Sequence, residues 1–200
     1  MVLQEFFRFI YPGGCLRCQE AKERIEHYLC KACQTCIKLT DKPSYLQDVY
    51  CFDECVPIHV LLSQYKKSFS PNLRELLVSW MMVQFLKMDW DMPDYIVPAP
   101  AKEVVLLKRN HTNKTLARSF AKMLGKPVLD LFEYKLQDRV YDDQGDLLGS
   151  VYLKPCKGLE GKTLLIIEDE YAHYLECTHL LQDIGIKKLY KIALYSKESI

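Results

Sequence analysis

Two cysteine pairs near the N-terminus, Cys15-Leu-Arg-Cys18 and Cys30-Lys-Ala-Cys33, constrain this chain more than any other feature. A two-residue gap lets both sulfurs of a knuckle point at one metal. The eleven residues between the pairs are enough to fold back and close a tetrahedral four-cysteine site. Zinc prefers that geometry and those soft ligands. So short a segment cannot bury a core of its own, so the metal would hold it together. The competing account is a set of ordinary buried thiols. Cys33-Gln-Thr-Cys36 overlaps the second pair, which makes Cys36 an alternative to Cys30. Cys51-Phe-Asp-Glu-Cys55 either contributes to a metal site or belongs to a short strand, Tyr50 to Cys55, with inward thiols. The strand is the preferred reading.

Two hundred residues suit one medium α/β domain with a small appendage. A net charge of +1 gives no bulk electrostatic case for nucleic acid or membrane. Nine cysteines would suggest disulfides in a secreted chain. Met1 to Ile10, however, carries Glu5 and Arg8 among its apolar residues and has no cleavage-like site. Leu76 to Leu86 is interrupted by Ser79 and Gln84 and is too short to span a bilayer. The expected setting is a reducing cytoplasm with thiolates on metal.

The chain divides into a metal module over residues 1–40 and an α/β domain over residues 48–200, joined by a polar linker containing Pro43. Pro57 to Lys67 reads as a helix with Ile58, Leu61, Leu62 and Tyr65 on one face. Ser70 is a candidate N-cap, with Pro71 at the first position of a helix running to about Lys87. Its stripe of Leu73, Leu76, Leu77, Trp80, Met81, Gln84 and Phe85 reads as core. Tyr95 to Val97 is a short buried strand. A helix over Lys114 to Leu124 follows, with Leu116, Phe120, Met123 and Leu124 on its apolar side and Lys114, Arg118 and Lys122 as a basic stripe. Val128 to Phe132 is a further candidate strand, and a hairpin lies between Val140 and Tyr152. Thr163 to Ile167 is a continuous apolar run suited to a central parallel strand, ending at Glu168-Asp169. A helix with Tyr171, Tyr174, Leu175, Thr178 and Leu181 on one face comes next, then a closing strand over Leu189 to Leu194. Strands alternating with helices imply a parallel sheet that takes ligands at its carboxyl ends. His173 and His179 are not at metal-ligand spacing and read as ordinary helix residues.

In this order, the opening Phe6 to Cys33, the lysine-ended segment Tyr50 to Lys67, Asp94-Tyr-Ile-Val-Pro-Ala-Pro100, Lys108-Arg109 through Gly125, and Leu164 to Asp169 resemble the ComF family. That family comprises phosphoribosyltransferase-like proteins linked to bacterial competence for DNA uptake. The resemblance covers most of the chain. It implies a type I phosphoribosyltransferase-like parallel sheet flanked by helices, with an N-terminal zinc module. It also implies that Glu168 and Asp169 meet the ribose hydroxyls of phosphoribosyl pyrophosphate (PRPP), that Arg109 meets its pyrophosphate, and that magnesium accompanies PRPP where binding is retained. Competence proteins and single-stranded DNA are the implied partners.

The sequence departs from the family where a phosphate should be cradled. After Glu168-Asp169 comes Glu170-Tyr171-Ala172-His173-Tyr174, with no Thr-Thr-Gly and no glycine before Gly185. Glycine permits close backbone approach, and a helix N-terminus supplies donors. Glu170 instead adds negative charge where a dianion should sit. Three functions therefore compete: a transferase fold that has lost catalysis and binds a partner, an active PRPP-dependent enzyme with an atypical loop, and a zinc-dependent nucleic-acid binder using Lys114, Arg118 and Lys122. The first is the expected one. For Glu168 and Asp169 the competing role is purely structural, as caps of the following helix.

Overall fold

Thr163 to Ile167 is apolar on both faces because both faces are covered. In the computed structural model, which describes residues 14–20, 28–53, 55–100, 112–141, 147–171, 178, 180–181 and 183–196, this segment opens β5 (Thr163–Tyr171). Ahead of it come the helical turn α1 (Lys31–Gln34), β1 (Asp48–Asp53), α2 (Val56–Ser68), α3 (Pro71–Lys87), β2 (Tyr95–Pro98), α4 (Thr112–Leu124), β3 (Phe132–Tyr141) and β4 (Leu147–Leu153). After it comes β6 (Lys188–Ser196). Four strands form a parallel sheet in the order β1-β6-β5-β2, and β3 and β4 form a separate antiparallel hairpin. This is the parallel sheet flanked by helices expected from the sequence. The strand that closes the chain lies inside the sheet, so its apolar residues are also covered on both faces.

Alternation along the strands separates two apolar layers. Leu165 and Ile167 of β5, Ile96 of β2 and Ile192 and Leu194 of β6 join one buried cluster with α2, α3 and α4. Leu164, Ile166 and Val97 face the other side, where Phe132 and Val151 of the hairpin and Leu181 close a second cluster. Among the residues following β5, Thr178, Leu180 and Leu181 are helical, while His173, Tyr174, Leu175 and His179 lie outside the described residues.

The long α3 begins as its sequence suggests, with Ser70 at the N-cap and Pro71 in the first turn. Ser70 makes no side-chain cap bond, however; its hydroxyl lies 2.9 Å from the Tyr28 hydroxyl and ties the cysteine module to α3. Trp80 is only partly buried, stacked edge-on against Phe52 at 5.1 Å. Met123, expected on the apolar side of α4, is exposed, because that helix buries Leu116, Ala117, Phe120 and Ala121 instead. Among the described residues Val128 pairs through an isolated bridge to Ile96, and the strand proper starts at Phe132. No helix among the described residues is long and apolar enough to cross a membrane.

Candidate functional site

The first cysteine knuckle is shaped by backbone hydrogen bonds. The Cys15 N–H donates to Glu20 O at 2.9 Å and the Gln19 N–H to Cys15 O at 2.9 Å, with Gln19 left-handed at φ 63°. A Cβ on Gly14 would lie 2.6 Å from Gln19 O, so only glycine fits there. The Leu16 N–H donates to Tyr28 O at 3.0 Å and brings the second knuckle alongside. There Cys30 is the N-cap of α1 and Cys33 lies inside it.

The sulfurs of Cys15, Cys18, Cys30 and Cys33 all lie within 4.8 Å of one another. Cys18 Sγ is 3.6 Å from Cys30 Sγ and 3.8 Å from Cys33 Sγ. A tetrahedron with metal–sulfur bonds of about 2.3 Å has sulfur–sulfur edges of roughly 3.8 Å, so the four thiols fit one such ion. Burial resists ionisation of Cys15, but N–H groups of Cys18, Cys30 and Arg17 aimed at its sulfur outweigh that and lower it to about 6. Cys33 is pushed up to about 12, by burial first and then by the crowding of Cys30, Cys15 and Cys18. Metal-free, the cluster cannot readily hold four thiolates; a dication removes that conflict.

The alternatives among the cysteines are now separated. Cys36 is exposed and stands outside the cluster, its sulfur 3.5 Å from Ala32 O. Cys51 is buried within β1, where burial pushes its thiol strongly upward, and Cys55 is the N-cap of α2. Neither is part of the four-sulfur group.

The second candidate site is the carboxyl end of the sheet. The strand was expected to stop at the acidic pair, with Tyr171 on a following helix. It instead runs on through Tyr171, with Glu168 opposite Ala193, Glu170 opposite Tyr195 and Tyr171 opposite Ser196. The physical reason is that β6 is equally long and supplies both a ladder and side-chain partners. The Glu168 carboxylate, 2% exposed, lies 3.5 Å from Lys191 Nζ. Asp169 Oδ2 is 2.9 Å from Lys66 Nζ, at the last turn of α2. The Tyr195 hydroxyl donates to Glu170 Oε2 at 2.9 Å, and its ring meets His59 edge-on. The Asp169 N–H donates to Asn113 Oδ1 at 2.9 Å, while Asn113 Nδ2 donates to Ala99 O at 3.2 Å, bracing the end of β2 against β5.

Asp94, which opens the Asp-x-Ile-Val-Pro-x-Pro segment, stands at the opposite, amino-terminal end of β2. Its N–H donates to Thr163 O at 2.8 Å and its carboxylate accepts from the Thr163 N–H at 2.9 Å. It clamps two strands together. Arg109 lies outside the described residues. Of the basic stripe, Lys114 is engaged by Asp130 at 2.8 Å, while Arg118 and Lys122 are exposed. Sequence reasoning did not single out Lys191, Tyr195 or Asn113 for the site. The one local signal was a lysine, Lys191, inside the otherwise apolar run Leu189 to Leu194.

No family model matches the chain, and no curated protein matches it. Several solved structures resemble it. A hypothetical protein from Neisseria gonorrhoeae with bound ppGpp is 12% identical over 63% of this chain and 68% of its own, with a TM-score of 0.44. Adenine phosphoribosyltransferase from Leishmania tarentolae is 12% identical over 68% and 76%, with a TM-score of 0.43. Purine phosphoribosyltransferase from Pyrococcus horikoshii is 15% identical over 78% and 83%, with a TM-score of 0.38. At scores this low none of them fixes a substrate or an activity.

Proposed function

We propose that this chain is a divergent ComF-like protein of phosphoribosyltransferase type that has lost transferase chemistry and acts by binding a partner. The observation that carries this reading is the continuation of β5 past its acidic pair. Glu170 and Tyr171, which follow the pair directly, are held in register with β6. A phosphate cradle needs backbone N–H groups released from a ladder and turned toward the ligand. Here the Asp169 N–H is taken by Asn113, and the carboxylates of Glu168, Asp169 and Glu170 face Lys191, Lys66 and Tyr195. The acidic pair has become a brace between β5, β6 and α2.

In this reading the module over residues 1–40 holds a structural zinc, and residues 48–200 are the transferase-like domain. Magnesium enters only with PRPP. Competence and DNA uptake are the setting that the sequence resemblance supplies, with single-stranded DNA or a competence protein as the partner. The exposed pair Arg118 and Lys122 is the part of the basic stripe that remains for phosphates.

The experiment is a pyrophosphate-release assay on zinc-loaded protein, with PRPP, magnesium and the common nucleobases. The reading predicts release at the uncatalysed rate. Turnover that is lost in a Glu168→Ala, Asp169→Ala variant would establish the active enzyme instead.

A further inference from the structure

Arg17 sits inside the first knuckle, but its side chain crosses to the second. Its Nη1 lies 4.0 Å from Cys33 Sγ and 3.7 Å from Cys36 Sγ. Cys33 belongs to the four-sulfur cluster and Cys36 does not. Four thiolates around one divalent ion leave about two net negative charges on the centre. A guanidinium against one of those sulfurs offsets part of that charge. Both contacts come from Nη1, whose two N–H groups are held in the guanidinium plane, and the spread of charge over that plane suits a soft thiolate better than a compact ammonium does.

We infer that Arg17 is a positioning residue of the metal centre: it balances the charge of the thiolate cluster, holds Cys33 against the ion and slows its loss. This rests on the reading that the four cysteines hold zinc. The physical chain is short. Metal leaves when a thiolate swings away or is captured by a competitor. A sulfur held by a cation is a poorer nucleophile and has less freedom to swing. Cys33 is the ligand on which this acts, because it is carried on α1, the element facing Arg17. Cys36 shares Nη1 with Cys33 and stands outside the four-sulfur group.

The test is the rate of zinc transfer from the full chain to a chromophoric chelator, for the wild type and for Arg17→Ala, Arg17→Lys and Cys36→Ser. Outer partners of metal ligands typically alter metal retention by about 10- to 100-fold. Arg17→Ala is expected to release zinc about tenfold faster, Arg17→Lys to fall between it and the wild type, and Cys36→Ser to keep the wild-type rate. The cobalt-loaded proteins give a second readout. The sulfur-to-cobalt charge-transfer band should move in Arg17→Ala and be unchanged in Cys36→Ser. An Arg17→Ala rate within about twofold of the wild type overturns the inference. So does a Cys36→Ser protein that loses zinc as fast as Arg17→Ala, since the guanidinium would then act through Cys36. An Arg17→Ala protein that purifies without zinc, with retention recovered by lysine, supports it. A wild-type chain that takes up no zinc overturns the metal reading and this inference together.

Discussion

Lys191 reaches Glu168 across the two central strands of the sheet, Nζ to Oε2 at 3.5 Å, with side chains 10% and 2% exposed. A pair this deep adds little over apolar residues of the same volume, but removing one partner leaves the other buried charge less well compensated, at a cost of up to about 3–5 kcal/mol. Lys191→Met should therefore lower unfolding free energy, by up to about 3–5 kcal/mol, measured by urea denaturation. The Glu168→Leu, Lys191→Met double variant should recover most of that loss. A single variant as stable as the wild type would mean Glu168 is not held by Lys191.

Gln84 makes the opposite case. Its side chain is fully buried in α3, and neither amide atom has a hydrogen-bond partner among the described residues. An unmade buried hydrogen bond costs about 1–3 kcal/mol. Gln84→Leu keeps the volume and removes the polar atoms, so it should raise the urea midpoint at an unchanged slope. A lower midpoint would contradict this account of the site.

Asp94 sets an expectation for acid. The Thr163 N–H is the chief influence holding its carboxyl below 3.8; burial opposes it and Lys162 assists. Because the folded value lies below the unfolded one, the stabilisation is present above the ordinary carboxylate range. It is lost as pH falls through the folded value. Carbon-13 titration should place the Asp94 midpoint below 3.8. Asp94→Asn should flatten the acid limb of the stability curve, and an unaltered limb would argue against the clamp.

Metal removal should be felt beyond the module. Cys15, Cys30 and Cys33 belong to the same buried cluster as Phe52, Leu61 and Leu77. Protein purified without added zinc should carry about one equivalent, and a strong chelator should lower its melting temperature. Cys15→Ser should reproduce the chelated state. Less than about half an equivalent in folded protein would count against a structural site.

The cysteine cluster was legible because its geometry is local: two knuckles and one return are enough to bring four sulfurs together. The α3 helix was legible for the same reason, with Ser70 and Pro71 marking its start and a periodic apolar stripe fixing its face. The end of β5 was not. Glu168-Asp169-Glu170 read as a strand ending, since three carboxylates do not belong in a ladder without partners. The partners are on β6 and α2, at Lys191, Tyr195 and Lys66, all distant in sequence. Met123 failed for a related reason. Helical spacing gives a stripe, but where the stripe stops depends on which neighbour covers it, and the sheet and α3 cover Phe120 rather than Met123.

The central claim is that the acidic end of β5 is closed by the protein's own side chains. Calorimetric titration of PRPP with magnesium into the zinc-loaded protein tests it most directly, beside a Glu168→Ala, Asp169→Ala variant. The account predicts no saturable heat up to about millimolar ligand, an affinity weaker than roughly −4 kcal/mol. Micromolar binding that the double variant abolishes would contradict it and restore the site to phosphoribosyl transfer.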